Sequence, residues 1–364
     1  MPIREIRDAS YAIVIGRGLL ADLPRAVRGA APAERYAVIS DSIVAPLYGS
    51  RVVSLLRGAG LSADLYTFPA GEPHKTRDTW VALSDQLLAA RFGRDSAVIA
   101  LGGGVVGDVA GFVAATYLRG VPYVQVPTTL LAMIDSSIGG KTGLDVPAGK
   151  NLIGAFHQPR LVLADLDLLS SLPATQLAAG MAEAVKHGVI ADAEYFGSLE
   201  ATHAAILQRE PAALERAVAR SVEIKAAIVA ADEREAGRRA ILNFGHTVAH
   251  ALEATGQYAL LHGEAVSIGM VCEARLAGAL GIAPSDLAPR ISALLAHYGL
   301  PRTTPGSASV DALLAAMSYD KKARTGVVRF ALPCAIGSMH GDAARGWTVA
   351  APEEAVRAVL APSN

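Results

Sequence analysis

Short apolar runs alternate with amphipathic segments along the N-terminal half of the chain. Apolar runs rich in β-branched residues predict strands at 2–7, 11–15, 36–40, 65–68, 96–101 and 121–126. Helical spacing from about 76 to 91, and again after the glycines at 102–104, predicts helices between the later strands. This alternation is typical of an α/β layer with a mostly parallel sheet.

The pattern changes after residue 172. Ala, Leu, Glu and Arg dominate to about residue 319 with helical periodicity, and a late apolar alternation at 327–332 predicts a small strand pair. The sequence therefore predicts an α/β domain at 1–171 and a mainly α-helical domain at 172–364, with an active site in the cleft between them.

Glycines follow the predicted strand at 96–101 with the spacing of a dinucleotide fingerprint. In such a motif, residues like Gly102, Gly104 and Gly107 let bare backbone and a helix N-terminus approach a pyrophosphate. The acid expected about 20 residues later is absent, so a tight turn without a ligand remains an alternative. Asp41, at the end of the strand at 36–40, is a candidate for the ribose or adenine contact and equally for a helix N-cap.

Polar residues are dense after the strand at 121–126. Thr128 and Thr129 stand at the carboxyl end of that strand, where α/β sheets bind ligands. Further polar candidates are Asp135, the segment GGKTG at 139–143, Lys150 and Asn151. This density favours a ligand site over a solvated loop, whereas Glu72 and Lys75 are equally well explained as nucleotide contacts or as solvated charges.

Histidines in the helical half have the spacing of metal ligands. Glu183 and Lys186 share a helical face, and so do His246 and His250. With His262, two histidines and a carboxylate would form a site with an open position, the pattern of catalytic zinc. Spacing alone leaves open whether His250 or Glu183 is the third ligand, and whether the ion is zinc or another borderline divalent metal.

Several cations are candidates for binding a phosphate and a carboxylate. They are Arg119, Lys141, Lys150, Lys225, Arg238, Arg239, Lys321 and Lys322. Each taken singly is more commonly a solvated surface charge, so the prediction depends on the fold bringing them together.

Composition limits the classes of partner. The 364 residues carry 33 Lys and Arg against 34 Asp and Glu, which gives no general attraction to nucleic acid or to anionic membranes. Cys272 and Cys334 lie in apolar surroundings without metal-type spacing, as reduced core cysteines of a cytoplasmic protein do. The charged start MPIREIRDAS has no signal-peptide core, and Asp108 interrupts the most apolar window.

A family resemblance rests on six segments in a fixed order. They are GGGVVGD, VPTTLLAMIDSSIGGKTGLDVPAGKNLIGAFHQP, GMAEAVKHGVI, LNFGHTVAHALE, LHGEAVSIGM and YDKKARTGVVRFALP. Together they resemble the 3-dehydroquinate synthases from about 41 to 337. The resemblance implies conversion of 3-deoxy-arabino-heptulosonate 7-phosphate to 3-dehydroquinate and phosphate in the shikimate pathway, with NAD used and regenerated in one turnover. It also implies the fold of the sugar phosphate cyclases.

The resemblance also assigns residues. The metal, zinc or cobalt, falls on Glu183, His246 and His262. The NAD segments fall on Asp41, Gly71, Glu72, Lys75, Gly103, Gly104, Val105, Val106, Gly107, Asp108, Thr128, Thr129, Lys141, Lys150, Leu168, Leu169, Ser170 and Ser171. The substrate positions fall on Asp135, Lys141, Asn151, Lys186, Lys225, Arg239, Asn243, His250 and Lys321. Arg119 matches an arginine that reaches a phosphate across a dimer interface, which implies a homodimer.

Three alternatives remain at this stage. A cyclase of secondary metabolism would act on sedoheptulose 7-phosphate or on an amino analogue of the heptulosonate. A metal-dependent polyol dehydrogenase would release NADH. A nucleotide-binding regulatory domain would use the metal for stability alone. The many fixed cations favour the substrate that bears a carboxylate.

Overall fold

Seven strands form one sheet in the first part of the chain. From one edge of the sheet to the other, the strands begin at Arg4, Ala12, Leu161, Tyr123, Ser96, Arg35 and Ser62. Neighbouring strands are parallel, except that the first two are antiparallel. The computed structural model describes residues 4–6, 11–235, 237–256, 260–319 and 328–361. The strands and helices of this part are β1 (Arg4–Ile6), β2 (Ala12–Gly16), α1 (Leu23–Ala30), β3 (Arg35–Asp41), α2 (Ser50–Gly58), β4 (Ser62–Phe68), α3 (Arg77–Ala89), β5 (Ser96–Gly102), α4 (Gly104–Thr116), β6 (Tyr123–Pro127), β7 (Lys141–Val146), β8 (Gly149–Phe156) and β9 (Leu161–Asp165).

The chain divides into two compact units, Met1–Leu172 and Pro173–Asn364. In the first unit, every residue of β5 is buried, as expected for a central parallel strand covered on both faces. Val98 of β5 packs in one apolar cluster with Val109 and Val113 of α4. The predicted α/β layer with a mostly parallel sheet is confirmed.

The polar block after β6 forms a separate antiparallel hairpin of β7 and β8, in which Lys141 faces Phe156 across the ladder. Two glycines let its strands approach, because a Cβ on Gly154 would lie 2.3 Å from the carbonyl oxygen of Thr142 and one on Gly143 2.8 Å from that of Ile153. The sequence pattern did not predict these strands, since apolar alternation in this segment is interrupted by glycines and charges.

The second unit is mainly helical. Its elements are α5 (Ala174–Ala191), α6 (Ala193–Leu207), α7 (Pro211–Ala231), α8 (His246–Thr255), α9 (His262–Ala279), α10 (Leu287–His297), α11 (Val310–Tyr319), β10 (Arg329–Phe330), β11 (Pro333–Ala335), β12 (Ser338–Met339), β13 (Val349–Ala350) and α12 (Glu353–Leu360). β10 pairs with β13, and β11 pairs with β12. The run at 327–332 therefore supplies only β10 among the described residues, and its partner lies about 20 residues later.

The two cysteines differ in burial. Cys272 is buried, but Cys334 is only partly buried and lies 3.3 Å from the hydroxyl of Ser338, so its assignment to the core was wrong. Among the helices in the described ranges, none combines the length and the apolar content needed to cross a lipid bilayer.

Candidate active site

Three side chains of the second unit converge as a metal site would require. Glu183 lies in the middle of α5, whereas His246 and His262 are the first residues of α8 and α9. One ligand atom from each lies within 4.8 Å of the others. Nε2 of His246 is 3.5 Å and Nε2 of His262 is 3.7 Å from Oε1 of Glu183.

Hydrogen bonds behind the two imidazoles orient their rings. Nδ1 of His246 lies 3.2 Å from the carbonyl oxygen of Phe244, and Nδ1 of His262 lies 3.2 Å from Oε1 of Glu253. Both partners are acceptors, so each ring can donate from Nδ1, and in the neutral form of the ring this tautomer leaves the lone pair of Nε2 for a metal. Two Nε2 atoms and one carboxylate therefore form the donor set, which suits zinc or a similar divalent ion.

Burial and neighbouring charged groups shift the pKa values of the two histidines in opposite directions. Burial and the ammonium group of Lys186 lower the pKa of His246 well below its ordinary value. Burial would also lower the pKa of His262, but hydrogen bonds to Glu183 and Glu253 raise it to about 9. Lys186 forms a buried ion pair with Glu183, one turn earlier on α5.

Glycines allow the helices of this site to approach closely. A Cβ on Gly263, next to His262, would lie 1.9 Å from the carbonyl oxygen of Ala179 in α5. A Cβ on Gly269 would lie equally near the carbonyl oxygen of Gly245, the N-cap of α8, which has φ of +82°. Larger residues at these positions would separate the helices that carry the histidines.

The geometry favours Glu183 over His250 as a third metal ligand. His250 is one turn beyond His246, with ring centroids 5.5 Å apart, but the convergent donor set contains Glu183. His250 therefore lies beside the proposed metal ligands.

Three cations of the second unit are buried, and for two of them, Lys225 and Arg239, a solvated surface charge was the commoner expectation. Lys186 is 2%, Lys225 7% and Arg239 3% exposed. The backbone N–H of Arg239 donates to Asp232 at 2.9 Å, and its guanidinium contacts the carbonyl oxygen of Glu233. Buried cations require partners or ligands, so these three are stronger site candidates than their sequence context indicated.

Glu235 is not among the residues predicted from the sequence. Its Oε1 accepts a hydrogen bond from Nδ2 of Asn243 at 2.6 Å, and its backbone has φ of +57°, which is uncommon for glutamate. It belongs to the charged segment DEREAGRR, which reads as a solvated loop, so no local signal distinguished it. Lys321 and Lys322 lie outside the described residues.

In the first unit, several predicted cofactor residues form one polar cluster. Nζ of Lys75, which is 3% exposed, lies 2.6 Å from Asp108 and 2.5 Å from Oδ1 of Asn151. Nζ of Lys150 lies 3.1 Å from Glu72. Asn151, assigned to the substrate by resemblance, thus contacts a residue assigned to NAD.

The start of α4 has features that suit a dinucleotide. Gly103 is the N-cap of this 13-residue helix, and no side chain of the described residues caps it. The backbone N–H of Thr128 donates to Gly102 at 2.9 Å, while its hydroxyl is buried without a hydrogen-bond partner in the described ranges. Unsatisfied donors at a helix start and an orphaned hydroxyl beside it fit a bound pyrophosphate.

The glycines before and within α4 also have packing roles. A Cβ on Gly102 would lie 2.5 Å from Val106, and one on Gly107 would lie 2.6 Å from the side chain of Gln125 in β6. Gly104 and Val105 form the first turn of the helix with Val106. Close packing of strand and helix is one of the functions of glycines in such a motif.

The remaining NAD candidates lie in loops of the first unit. Oδ1 of Asp41 accepts from the N–H groups of Ile43 and Val44, so Asp41 caps the segment after β3. Gly71, with φ of +104°, precedes the short 3-10 helix Glu72–His74. Leu168, Leu169, Ser170 and Ser171 belong to the 3-10 helix Leu166–Ser171, which the hydroxyl of Tyr48 contacts at Leu168 and Ser171.

The remaining substrate candidates of the first unit lie on different elements. Asp135 lies in the short π-helix Ala132–Ser136, and Lys141 begins β7 with its side chain exposed. Arg119 is exposed after α4, and Leu118, Arg119 and Gly120 all have positive φ. Leu118 and Arg119 are not glycines, so their positive φ makes this a strained turn at the arginine.

Two family models match this chain in sequence. The model described as 3-dehydroquinate synthase N-terminal matches residues 65–179, and the one described as 3-dehydroquinate synthase C-terminal matches residues 180–323. A curated 3-dehydroquinate synthase of Symbiobacterium thermophilum is 51% identical over 337 residues, which cover 92% of this chain and 94% of that protein.

Two solved synthase structures are similar to this chain over nearly its whole length. A 2-deoxy-scyllo-inosose synthase complexed with carbaglucose-6-phosphate, NAD+ and Co2+ is 27% identical, with a TM-score of 0.89 and 99% of each chain covered. The 2-epi-5-epi-valiolone synthase of Streptomyces hygroscopicus subsp. jinggangensis, with NAD+ and Zn2+ bound, is 31% identical, with a TM-score of 0.87 and coverage of 99% of this chain and 98% of that one.

Proposed function

The chain belongs to the 3-dehydroquinate synthase family, and on that basis we propose how its residues convert 3-deoxy-arabino-heptulosonate 7-phosphate to 3-dehydroquinate and phosphate. The observation that carries the assignment of the site is the convergence of Glu183, His246 and His262, with the Nδ1 atoms of both rings bonded to acceptors. Such a donor set is expected where a divalent ion acts on a substrate oxygen.

We assign the binding of NAD to residues of the first unit. The solved structures of the two similar synthases contain NAD+. The N-terminal N–H groups of α4 and the buried hydroxyl of Thr128 suit the pyrophosphate. Lys75, held by Asp108, adds a fixed cation beside this region. The other members of the NAD set are Asp41, Gly71, Glu72, Gly103, Gly104, Val105, Val106, Gly107, Thr129, Lys141, Lys150, Leu168, Leu169, Ser170 and Ser171.

The second unit provides the metal ligands and buried cations. When bound, NAD supplies a reversible hydride acceptor and the divalent ion polarises a substrate hydroxyl. Glu183, His246 and His262 hold that ion, which is zinc or cobalt as in the two cyclase structures. Lys225 and Arg239, both buried, bind the carboxylate and hydroxyls of the substrate together with Lys141 and Lys321.

Proton movement is assigned to groups beside the metal ligands. His250 accepts or returns a substrate hydroxyl proton, and Asn243, anchored by Glu235, orients the same hydroxyls. Asp135 is assigned as a further contact to the substrate. Hydride transfer to the bound cofactor oxidises one carbon and acidifies its neighbour, and the substrate's own phosphate accepts the proton of that neighbouring carbon as it leaves. The same hydride is then returned to the oxidised carbon, and ring opening and aldol closure follow. For these last steps the side chains mainly hold one conformer.

Departure of the phosphate requires positive charge at its oxygens. We assign this role to Lys150, Asn151, Lys186 and Arg119, with Arg119 supplied by the second subunit of a homodimer. The exposure of Arg119 and the strained turn that presents it support this assignment. The two free cysteines support a reducing compartment, which for this chain we take to be the cytoplasm.

The test is to incubate the purified chain with metal, NAD and the heptulosonate phosphate while following phosphate and absorbance at the NADH maximum. We expect phosphate to be released over many turnovers without accumulation of NADH. Stoichiometric NADH would indicate a polyol dehydrogenase instead. A higher kcat/KM for an amino analogue or for sedoheptulose 7-phosphate, measured in competition, would indicate a cyclase of secondary metabolism.

A further inference from the structure

A buried carboxylate lies behind one of the proposed metal ligands. Glu253 of α8 is 3% exposed, and its Oε1 lies 3.2 Å from Nδ1 of His262. Placing a carboxylate in the interior is unfavourable unless it is paired or hydrogen-bonded. At this position the imidazole of His262 provides that partner.

The position of Glu253 on its helix has a consequence for the whole site. His246 begins α8, and Glu253 follows it by seven residues, or two turns, on the same face. One helix therefore bears one imidazole at its first turn and orients the second imidazole from its third turn.

The two imidazoles have different acceptors. His246 donates to the neutral carbonyl of Phe244, close to it in sequence, whereas His262 donates to a charged carboxylate from another helix. A carboxylate polarises an imidazole more strongly than an amide carbonyl does, and so makes Nε2 a better donor to a metal.

We propose that Glu253 is a positioning residue of the metal centre: it fixes the ring and the Nδ1–H tautomer of His262 and strengthens Nε2 as a ligand. This inference rests on the metal centre of the proposed function. The residue itself is not a ligand, since the convergent donor set comprises Glu183, His246 and His262.

The experiment measures metal binding by the full-length chain, independently of turnover. Wild type, Glu253→Gln and His262→Ala are stripped of metal and titrated with Zn2+ against a chromophoric chelator. We expect Glu253→Gln to bind one ion per site with affinity reduced about 10- to 100-fold. The visible absorption of the Co2+-loaded protein should change as well, because the ring of His262 is held less firmly.

Glu264→Gln is the matched control. Oε2 of Glu264 accepts from the N–H of Leu261, the residue before His262, and a glutamine retains an acceptor oxygen there. This variant removes a negative charge from the first turn of α9, the helix that His262 begins, and leaves the hydrogen bond between Glu253 and Nδ1 of His262 in place. We expect a much smaller change in Zn2+ affinity and an unchanged Co2+ spectrum.

The outcomes separate the inference from its premise. If wild type binds Zn2+ no better than His262→Ala, the metal centre and this inference are both overturned. If wild type binds but Glu253→Gln equals it, or if both glutamine variants lose affinity equally, the metal centre stands and the role of Glu253 is refuted.

A measurement on wild type covers the case in which Glu253→Gln does not fold. Long-range 1H–15N spectra of Zn2+-loaded protein labelled at histidine report the tautomer of each ring. His262 is expected to be protonated at Nδ1, with a strongly downfield proton. Protonation at Nε2 would overturn the proposal.

Discussion

Lys75 and Asp108 form an ion pair in which the buried ammonium group lies 2.6 Å from Oδ2 of the partly buried carboxylate, and the same ammonium group contacts Oδ1 of Asn151 at 2.5 Å. Burial alone would lower the pKa of Lys75, but Asp108 and Glu72 raise it above its ordinary value. The raised pKa favours the charged form of Lys75, which links α4 to the hairpin of β7 and β8 through Asp108 and Asn151.

Lys75→Met should destabilise the protein and weaken NAD binding, because it leaves the carboxylate of Asp108 without its cation. We expect a loss of about 3 kcal/mol or more in unfolding free energy, measured by urea denaturation, and a higher Kd for NAD by calorimetry. Lys150→Met is the control, since the Lys150–Glu72 pair is more exposed and should contribute less than about 1 kcal/mol. Equal losses of unfolding free energy in the two variants would contradict the larger contribution of the Lys75–Asp108 pair.

Metal stoichiometry should distinguish the two histidines of α8. His246→Ala removes a ligand, so we expect the purified variant to retain less than one ion per chain by mass spectrometry of metals. His250→Ala should retain the ion and lose turnover, because His250 is assigned to proton transfer. Loss of the ion from His250→Ala, with retention in His246→Ala, would reverse the assignment.

Arg119 can be tested by mixing two inactive proteins. Arg119→Ala lacks the proposed phosphate contact, and His262→Ala lacks a metal ligand. If Arg119 acts across a homodimer, subunit exchange creates heterodimers with one intact site, and the mixture recovers about a quarter of wild-type activity. A mixture as inactive as its components would place Arg119 in the active site of its own subunit, and full activity of Arg119→Ala alone would place it outside any site.

Asp192 should make stability depend on pH. Its Oδ1 caps α6 through the N–H of Tyr195 at 2.9 Å, and its Oδ2 binds the guanidinium of Arg220 at 2.6 Å. Burial would raise the pKa of Asp192, but these two partners lower it below its ordinary value. Its ionised form therefore stabilises the fold above the unfolded pKa, and this contribution is lost as the pH falls through the lower folded pKa.

Two substitutions separate the contribution of the helix cap from the contribution of the negative charge of Asp192. Asp192→Ala should cost about 1 to 2 kcal/mol at neutral pH through the lost cap, and Asp192→Asn should cost less because it keeps an acceptor. The difference between wild type and Asp192→Asn, measured by chemical denaturation, should shrink as the pH falls below about 4, where the carboxyl group begins to be protonated in the unfolded chain, and should be lost below the lower pKa of the folded state. A difference that does not depend on pH would contradict the ionic contribution.

The cysteines should differ in reactivity. Burial raises the pKa of Cys272 to about 11, so its thiolate is scarce at neutral pH. Cys334 is partly exposed. Iodoacetamide at mildly alkaline pH should therefore alkylate Cys334 in the native protein and both cysteines in urea, as peptide mass mapping would show.

The amino-acid sequence by itself determined the alternation of strands and helices, the change to a helical second half, and the family. Apolar periodicity is a local property, and motifs such as GGKTG and HTVAH are contiguous, so both are visible without a fold. The same locality explains the errors and omissions. The hairpin of β7 and β8 has no clean alternation, and the partner strand of β10 lies far away in the chain.

Only the tertiary structure decided which polar residues meet. Spacing could not choose between Glu183 and His250, because the choice depends on how α5, α8 and α9 pack through Gly263 and Gly269. Nor could spacing show that Lys225 and Arg239 are buried, that Glu235 holds Asn243, or that Glu253 supports His262. Burial and hydrogen bonding between distant residues are properties of the folded chain, and they give these side chains their charge and direction.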